Sequence, residues 1–193
     1  MRGKGRGERD EAHTGLPFSP VEVISSGMGA GVWVLDARSS RIEVAVERLG
    51  GFLGLRGQLQ RFAGEIEMGP GQSPAGSLTI EASSVRCRSV WCGRQLPGRE
   101  FFVTVDDPVV TFRSEHVLLV PPDQAWVTGT LARGGHSAPV AFEATVTLDF
   151  LCAQAVLDAT VAAGWWPAPD LRAPRRRKAK AVFTLHLVFL RQY

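Results

Sequence analysis

The sequence predicts an all-β, antiparallel protein, a barrel or a sandwich, with a single closed β-barrel of about eight strands favoured. Three observations predict it. Apolar and polar residues alternate with period two in run after run, the signature of half-buried strands. Short Gly- and Pro-rich links join the runs, with no strand–helix–strand rhythm, which favours antiparallel pairing. Glycines interrupt several long runs, as where a sheet bends to close and so removes its exposed edges. The 193 residues suit one well-buried domain, and 45% hydrophobic with 21% charged residues is ordinary globular composition. No window approaches the ~18 consecutive apolar residues of a membrane helix.

The elements follow in order. Residues 1–30 are expected to be a flexible tail, since MRGKGRGERDEAHTGLPFSP is rich in Gly, charge and Pro. Its basic residues precede no apolar segment, so the expectation is no secretory signal peptide and a cytoplasmic location. The barrel domain is placed at 31–193. In RIEVAVERL, Ile42, Val44 and Val46 share one face. LRGQLQRFAGEI puts Leu55, Gly57 and Leu59 on one face, then Phe62, Gly64 and Ile66 after a three-residue step, which predicts a bulge or sharp bend. After the GPGQSPAG link, Leu78, Ile80 and Ala82 alternate. Residues 88–102 lose the alternation and are assigned a short helix or structured loop. Strands are predicted again at 109–114, 125–131, 139–150, 152–162 and 179–190, with Val140, Phe142, Ala144, Val146 and Leu148 on one face.

Composition narrows the chemistry. Cys87, Cys92 and Cys152 are odd in number and form no CxxC pair, so reduced thiols are expected rather than a disulfide framework. Four scattered histidines suggest no metal site, and no cofactor is expected. The net charge of +3 conceals a local effect. RAPRRRKAK at 172–180 holds six of the 22 basic residues, leaving 16 against 19 acidic ones elsewhere. The body is thus mildly acidic with one sharply basic loop, unlike a nucleic-acid protein with a basic face.

Three segments tempt a catalytic reading. Asp106 and Asp107 are adjacent, so in an extended chain their side chains diverge, whereas paired acid–base carboxylates converge from different elements. Asp-Pro starts turns, and Pro108 suits the first position of a strand. Ser137 follows His136, but no G-x-S-x-G is present. Gly134–Gly135 precede neither Lys-Ser/Thr nor a helix, so they make no phosphate loop.

The order of motifs resembles the YceI-like family of lipocalin-like, polyisoprenoid-binding barrels. WVLDARSSRIEVAVERL, with Trp33, Asp36, Ser40 and the Ile42/Val44/Val46 alternation, is similar to that family's first strands. LRGQLQRFAGEI is similar to the next signature through Gly57, Phe62 and Gly64. SLTIEASSV, Leu96 followed by EFF, DPVVTFRS and GTLARGGHSAPVAF follow in the family's order. The resemblance spans 32–150 well and 179–190 loosely. Departures cluster: Ser39 and Arg48 stand where the family has histidines, Cys92 and Gly93 replace an Arg-Asp pair, and DATVAAGWWPAPDL replaces a late Asp-Arg…Phe-Gly segment.

The resemblance implies an apolar cavity, which an eight-stranded barrel is just wide enough to hold. The expected lining is Val44, Val46, Phe62, Ile80, Phe101, Phe102, Phe112, Phe142 and Val146. The implied activity is binding, sequestering or carrying an isoprenoid or similar amphipathic lipid. Burying about twenty carbons gives at most ~16 kcal/mol, of which about 4–15 kcal/mol goes to association and ordering, so no strong headgroup motif is required. Trp165 and Trp166, with Arg175, Arg176, Arg177 and Lys178, form either a solvated hairpin tip or a surface for transient contact with an anionic membrane. Two alternatives stay open. One is an enzyme acting on a small apolar substrate through His136 or Arg48. The other is an interaction module working through 172–180. A homodimer is also allowed; specific nucleic-acid binding is not expected.

Overall fold

The computed structural model describes residues 19–47, 55–70, 72–87, 109–133, 135–149, 153–163 and 180–192. Among these residues eleven strands form one antiparallel sheet: β1 (Gly31–Leu35), β2 (Arg41–Glu47), β3 (Leu55–Leu59), β4 (Phe62–Met68), β5 (Ala75–Glu81), β6 (Arg86–Cys87), β7 (Val109–Val120), β8 (Gln124–Arg133), β9 (His136–Asp149), β10 (Gln154–Ala163) and β11 (Lys180–Arg191). The order is β1-β4-β5-β7-β8-β9-β10-β11, and β1 pairs with β11 to close the ring. β2, β3 and β6 continue the lines of β1, β4 and β5, because β11 runs beside β1 through 189–191 and beside β2 through 180–186. Eleven segments thus make the eight-stranded barrel that alternation predicts.

The three breaks lie side by side, at 36–40, 60–61 and 82–85, and side chains hold each one. At the first, the Asp36 N–H donates to the Val188 carbonyl (2.8 Å), and the Val188 N–H donates to the buried Ser40 hydroxyl (2.8 Å). Asp36 itself accepts from the Arg38 N–H and the Ser39 hydroxyl, which hold its carboxyl below the usual range. At the other two, Ser84 Oγ accepts from the Gln60 and Arg61 N–H groups (3.1 and 2.9 Å), and Arg61 pairs with Glu81. The register slip expected between Leu59 and Phe62 is this break. Gly57 and Leu59 are buried on one side of it, and Phe62, Gly64 and Ile66 face in on the other.

Two ends follow from the registers. β2–β3 (48–54), β6–β7 (88–108), β8–β9 (134–135) and β10–β11 (164–179) connect at one, called here the loop end. The other ends of the strands meet at the helix end, where β4–β5 (69–74), β7–β8 (121–123) and β9–β10 (150–153) connect. There a helix, α1 (Pro20–Ser25), packs on the barrel with Val23 and Ile24 buried. Its start is a capping box: the Glu22 N–H donates to Ser19 Oγ, the Ser19 N–H donates to the Glu22 carboxylate, and Pro20 takes the first turn. Gly27, at φ +75°, ends it. Residues 19–30, which the sequence reading places in the tail, are therefore part of the barrel's closure.

The second difference is β7. It runs to Val120, past the expected limit at 114, because a bulge between Ser114 and His116 changes its phase. Val110, Phe112 and Ser114 face in before the bulge, and Val117 and Leu119 after it. The segment assigned a short helix or loop, 88–102, lies outside the described residues, as do Asp106, Asp107 and Pro108.

Candidate functional site

The barrel interior is apolar because every strand delivers alternate residues to it. Six of those are alanines with little exposure: Ala125, Ala144, Ala155, Ala159, Ala163 and Ala181. Small side chains on β8 to β11 leave space that leucines would fill. A cavity of about 110 Å³ lies toward the helix end. Ile24 of α1 borders it, with Met68 of β4, Leu78 of β5, Val117 and Leu119 of β7, Ala125 and Val127 of β8, Leu148 of β9, Ala155 and Leu157 of β10, and Leu187 and Phe189 of β11. Of its polar groups, the Ser114 hydroxyl accepts from the Gly76 N–H at 2.6 Å, so the wall presents little to a charged group.

The expected lining residues divide by height along the barrel. Phe112, Phe142 and Val146 border the cavity. The two phenyl rings meet across β8 at 5.7 Å between centroids, tilted by 56°. Gly129 permits this, because a Cβ there would lie 2.2 Å from the Arg113 carbonyl oxygen and 2.8 Å from the Phe112 ring. Val44 and Ile80 are buried and Phe62 packs against the same core, but none of the three borders the cavity. They sit nearer the loop end: Ile80 pairs with Phe62 and Val110, one inward step beyond the Leu78–Phe112 pair. The Val46 backbone pairs with Ala181 and Leu55 in that same region. Phe101 and Phe102 lie outside the described residues. So do Trp165, Trp166, Arg175, Arg176, Arg177 and Lys178, whose segment joins β10 to β11 at the loop end.

Residues that sequence reasoning missed are Ile24, which a tail assignment hides, and the Val117–Val127 hairpin beyond the β7 bulge. The S-x-x-E spacing of Ser19 and Glu22 was the available signal for the first. His136 and Ser137 open β9 as exposed neighbours, at the loop end rather than by the cavity. Arg133, only 4% exposed, is the charged side chain that the described barrel buries. No group of three or more potential metal ligands occurs among the described residues. The residues Trp33, Asp36 and Ser40 serve structure: the Trp33 indole N–H donates to the Gly29 carbonyl (2.9 Å), and the other two hold the first break.

A sequence model of the YceI-like domain matches residues 33–168. No curated protein matches the chain. Among solved structures, Burkholderia cenocepacia BcnA is similar with a TM-score of 0.61 at 17% identity, over 80% of this chain and 98% of that one. A mutant of the CJ YceI protein with a monobromobimane guest gives a TM-score of 0.51 at 14% identity, over 98% and 99% of the two chains. The chain belongs to the YceI-like family.

Proposed function

We propose that this YceI-like barrel binds, and so sequesters or carries, an isoprenoid or similar amphipathic lipid whose apolar tail enters the interior at the helix end. The observation that carries the reading is the apolar cavity behind α1, walled in part by Ala125, Ala155 and the Phe112–Phe142 pair. Its size adds a condition. About 110 Å³ is below the ~300–1,000 Å³ of typical ligand pockets and of the order of the ~150 Å³ cavity that accepts benzene. The closed form admits a short apolar group, and a chain of ~20 carbons requires the interior to widen. Helix α1 is the part suited to yield, being six residues long and held by the apolar contacts of Val23 and Ile24.

Organic extraction of the purified protein, followed by mass spectrometry, tests the reading. The expected result is a co-purifying polyprenyl or related lipid, or stoichiometric uptake of an added one. Preparations that stay empty and ignore added polyprenols would defeat it. Ala155→Leu, which grows a side chain into the cavity, should cut uptake at least tenfold while the protein stays folded. Contact of the 165–178 segment with anionic membranes and a cytoplasmic location belong to the same proposal. Vesicle flotation of an Arg175→Gln/Arg176→Gln/Arg177→Gln variant and cell fractionation check them.

A further inference from the structure

The large apolar side chains left exposed are unevenly placed. Among the described residues they are Met28, Val32, Val109, Leu118, Val120, Trp126 and Leu190, and all but Val109 lie at the helix end. Leu118 (64% exposed) pairs directly with Trp126 (48%) across the β7–β8 hairpin, whose tip is Pro121–Pro122. Val32 and Leu190 stand on β1 and β11, which the strand order places across the barrel from β8 and β7. Apolar groups on opposite sides of one rim can meet a flat surface together. The same hairpin turns Val117, Leu119, Ala125 and Val127 inward onto the cavity. One strand pair therefore presents an apolar outer face and an apolar lining at the same height.

We infer that the helix-end rim docks on a zwitterionic lipid bilayer, so that a tail passes from the bilayer into the cavity without crossing water. This rests on the lipid-binding reading above. Charge selects the surface. The rim carries the carboxylates of Glu22, Glu67, Asp123 and Asp149, whereas Arg191 is its described guanidinium and is engaged with the Met28 and Ala30 carbonyls. An anionic membrane would repel such a rim, and a neutral one would not. Trp126 and Leu118 suit the interfacial layer, where an amphipathic ring beside aliphatic groups gains most. The basic stretch belongs to the β10–β11 connection, whose flanking strand ends lie at the opposite end of the barrel.

The test is flotation of the full chain with phosphatidylcholine vesicles and with phosphatidylcholine–phosphatidylglycerol vesicles. The wild type should float with the neutral vesicles, which read the rim alone, while the anionic ones report the separate contact through the 165–178 segment. Leu118→Ser/Trp126→Ser and Val32→Ser/Leu190→Ser should each lose flotation at least fivefold. Both should retain the wild-type thermal midpoint within a few degrees and take up ethanol-dispersed polyprenol normally. The triple Arg175/Arg176/Arg177 variant should float with neutral vesicles like the wild type. Three results would overturn the inference: no flotation on neutral vesicles, flotation on neutral vesicles that is lost with those arginines, or apolar variants that abolish self-association instead of flotation. Because uptake is measured separately, a wild type that loads but does not float removes docking alone, and one that never loads removes the binding reading.

Discussion

At the helix end the strands are joined by connections of three to six residues, a capped helix packs on the opening, and the cavity lies just inside. At the loop end the connections 88–108 and 164–179 are far longer, 48–54 is slightly longer, and 134–135 is tight. The segments that depart from the family's pattern, at Arg48, at Cys92–Gly93 and after Asp158, fall on or run into those long connections. Ser39, in the first break, is the exception. The cavity lining comes from the helix-end half of the strands. The cavity therefore lies at one end of the strands, and the connections that carry most of those departures join them at the other.

The contrast can be broken by mutation, and the largest effect belongs to the helix end. Trp33→Ala removes a side chain only 1% exposed, together with its hydrogen bond to Gly29, and should cost about 3–5 kcal/mol in urea unfolding. A loss below about 1 kcal/mol would mean that this end does not anchor the fold. Gly129→Ala forces a Cβ into the Arg113 carbonyl and the Phe112 ring, and should cost about 1–3 kcal/mol while displacing the Phe112–Phe142 pair. A near-neutral result would show that the wall gives more readily than its closeness implies. Ser19→Ala should cost about 1 kcal/mol, seen first as faster amide exchange in α1.

The smallest effect lies at the breaks. The Arg61 guanidinium and the Ser83 hydroxyl lower the Glu81 carboxyl to about 2. A carboxylate whose folded value lies below its unfolded value of 4.5 favours the fold above that pH. Its contribution is lost as pH falls from about 4.5 through about 2. Both partners are exposed to solvent, so the effect is slight. Glu81→Gln should remove that slope from the acid end of the stability profile and leave neutral stability nearly unchanged. Carboxyl titration by NMR checks the value directly.

The contrast also explains what was legible beforehand. Period-two alternation separates inward from outward residues, so the eight strands and the inward faces of β2, β4 and β9 could be read directly. It says nothing about height along the barrel. Phe112 and Ile80 are equally inward in pattern, yet only Phe112 reaches the cavity, because height is set by register between strands distant in sequence. Helix α1 was obscured by a Gly- and charge-rich prefix, although Ser19 and Glu22 carry the capping spacing. The far half of β7 was hidden because the bulge at Glu115 shifts the alternation by one residue.

The three side-by-side breaks have a mechanical consequence. β7 to β11 each run the barrel's height as one strand, with a bulge in β7 and with β9 and β10 paired over 144–149 and 154–159, whereas the β1/β2, β3/β4 and β5/β6 lines are each severed at neighbouring levels. Their backbone is joined there through serine hydroxyls and an ion pair rather than by repeated amide pairing. The wall is built of single long strands on one side and creased on the other. Bending it therefore flexes the loop-end portions of three strands as one flap, with β11 as the spine.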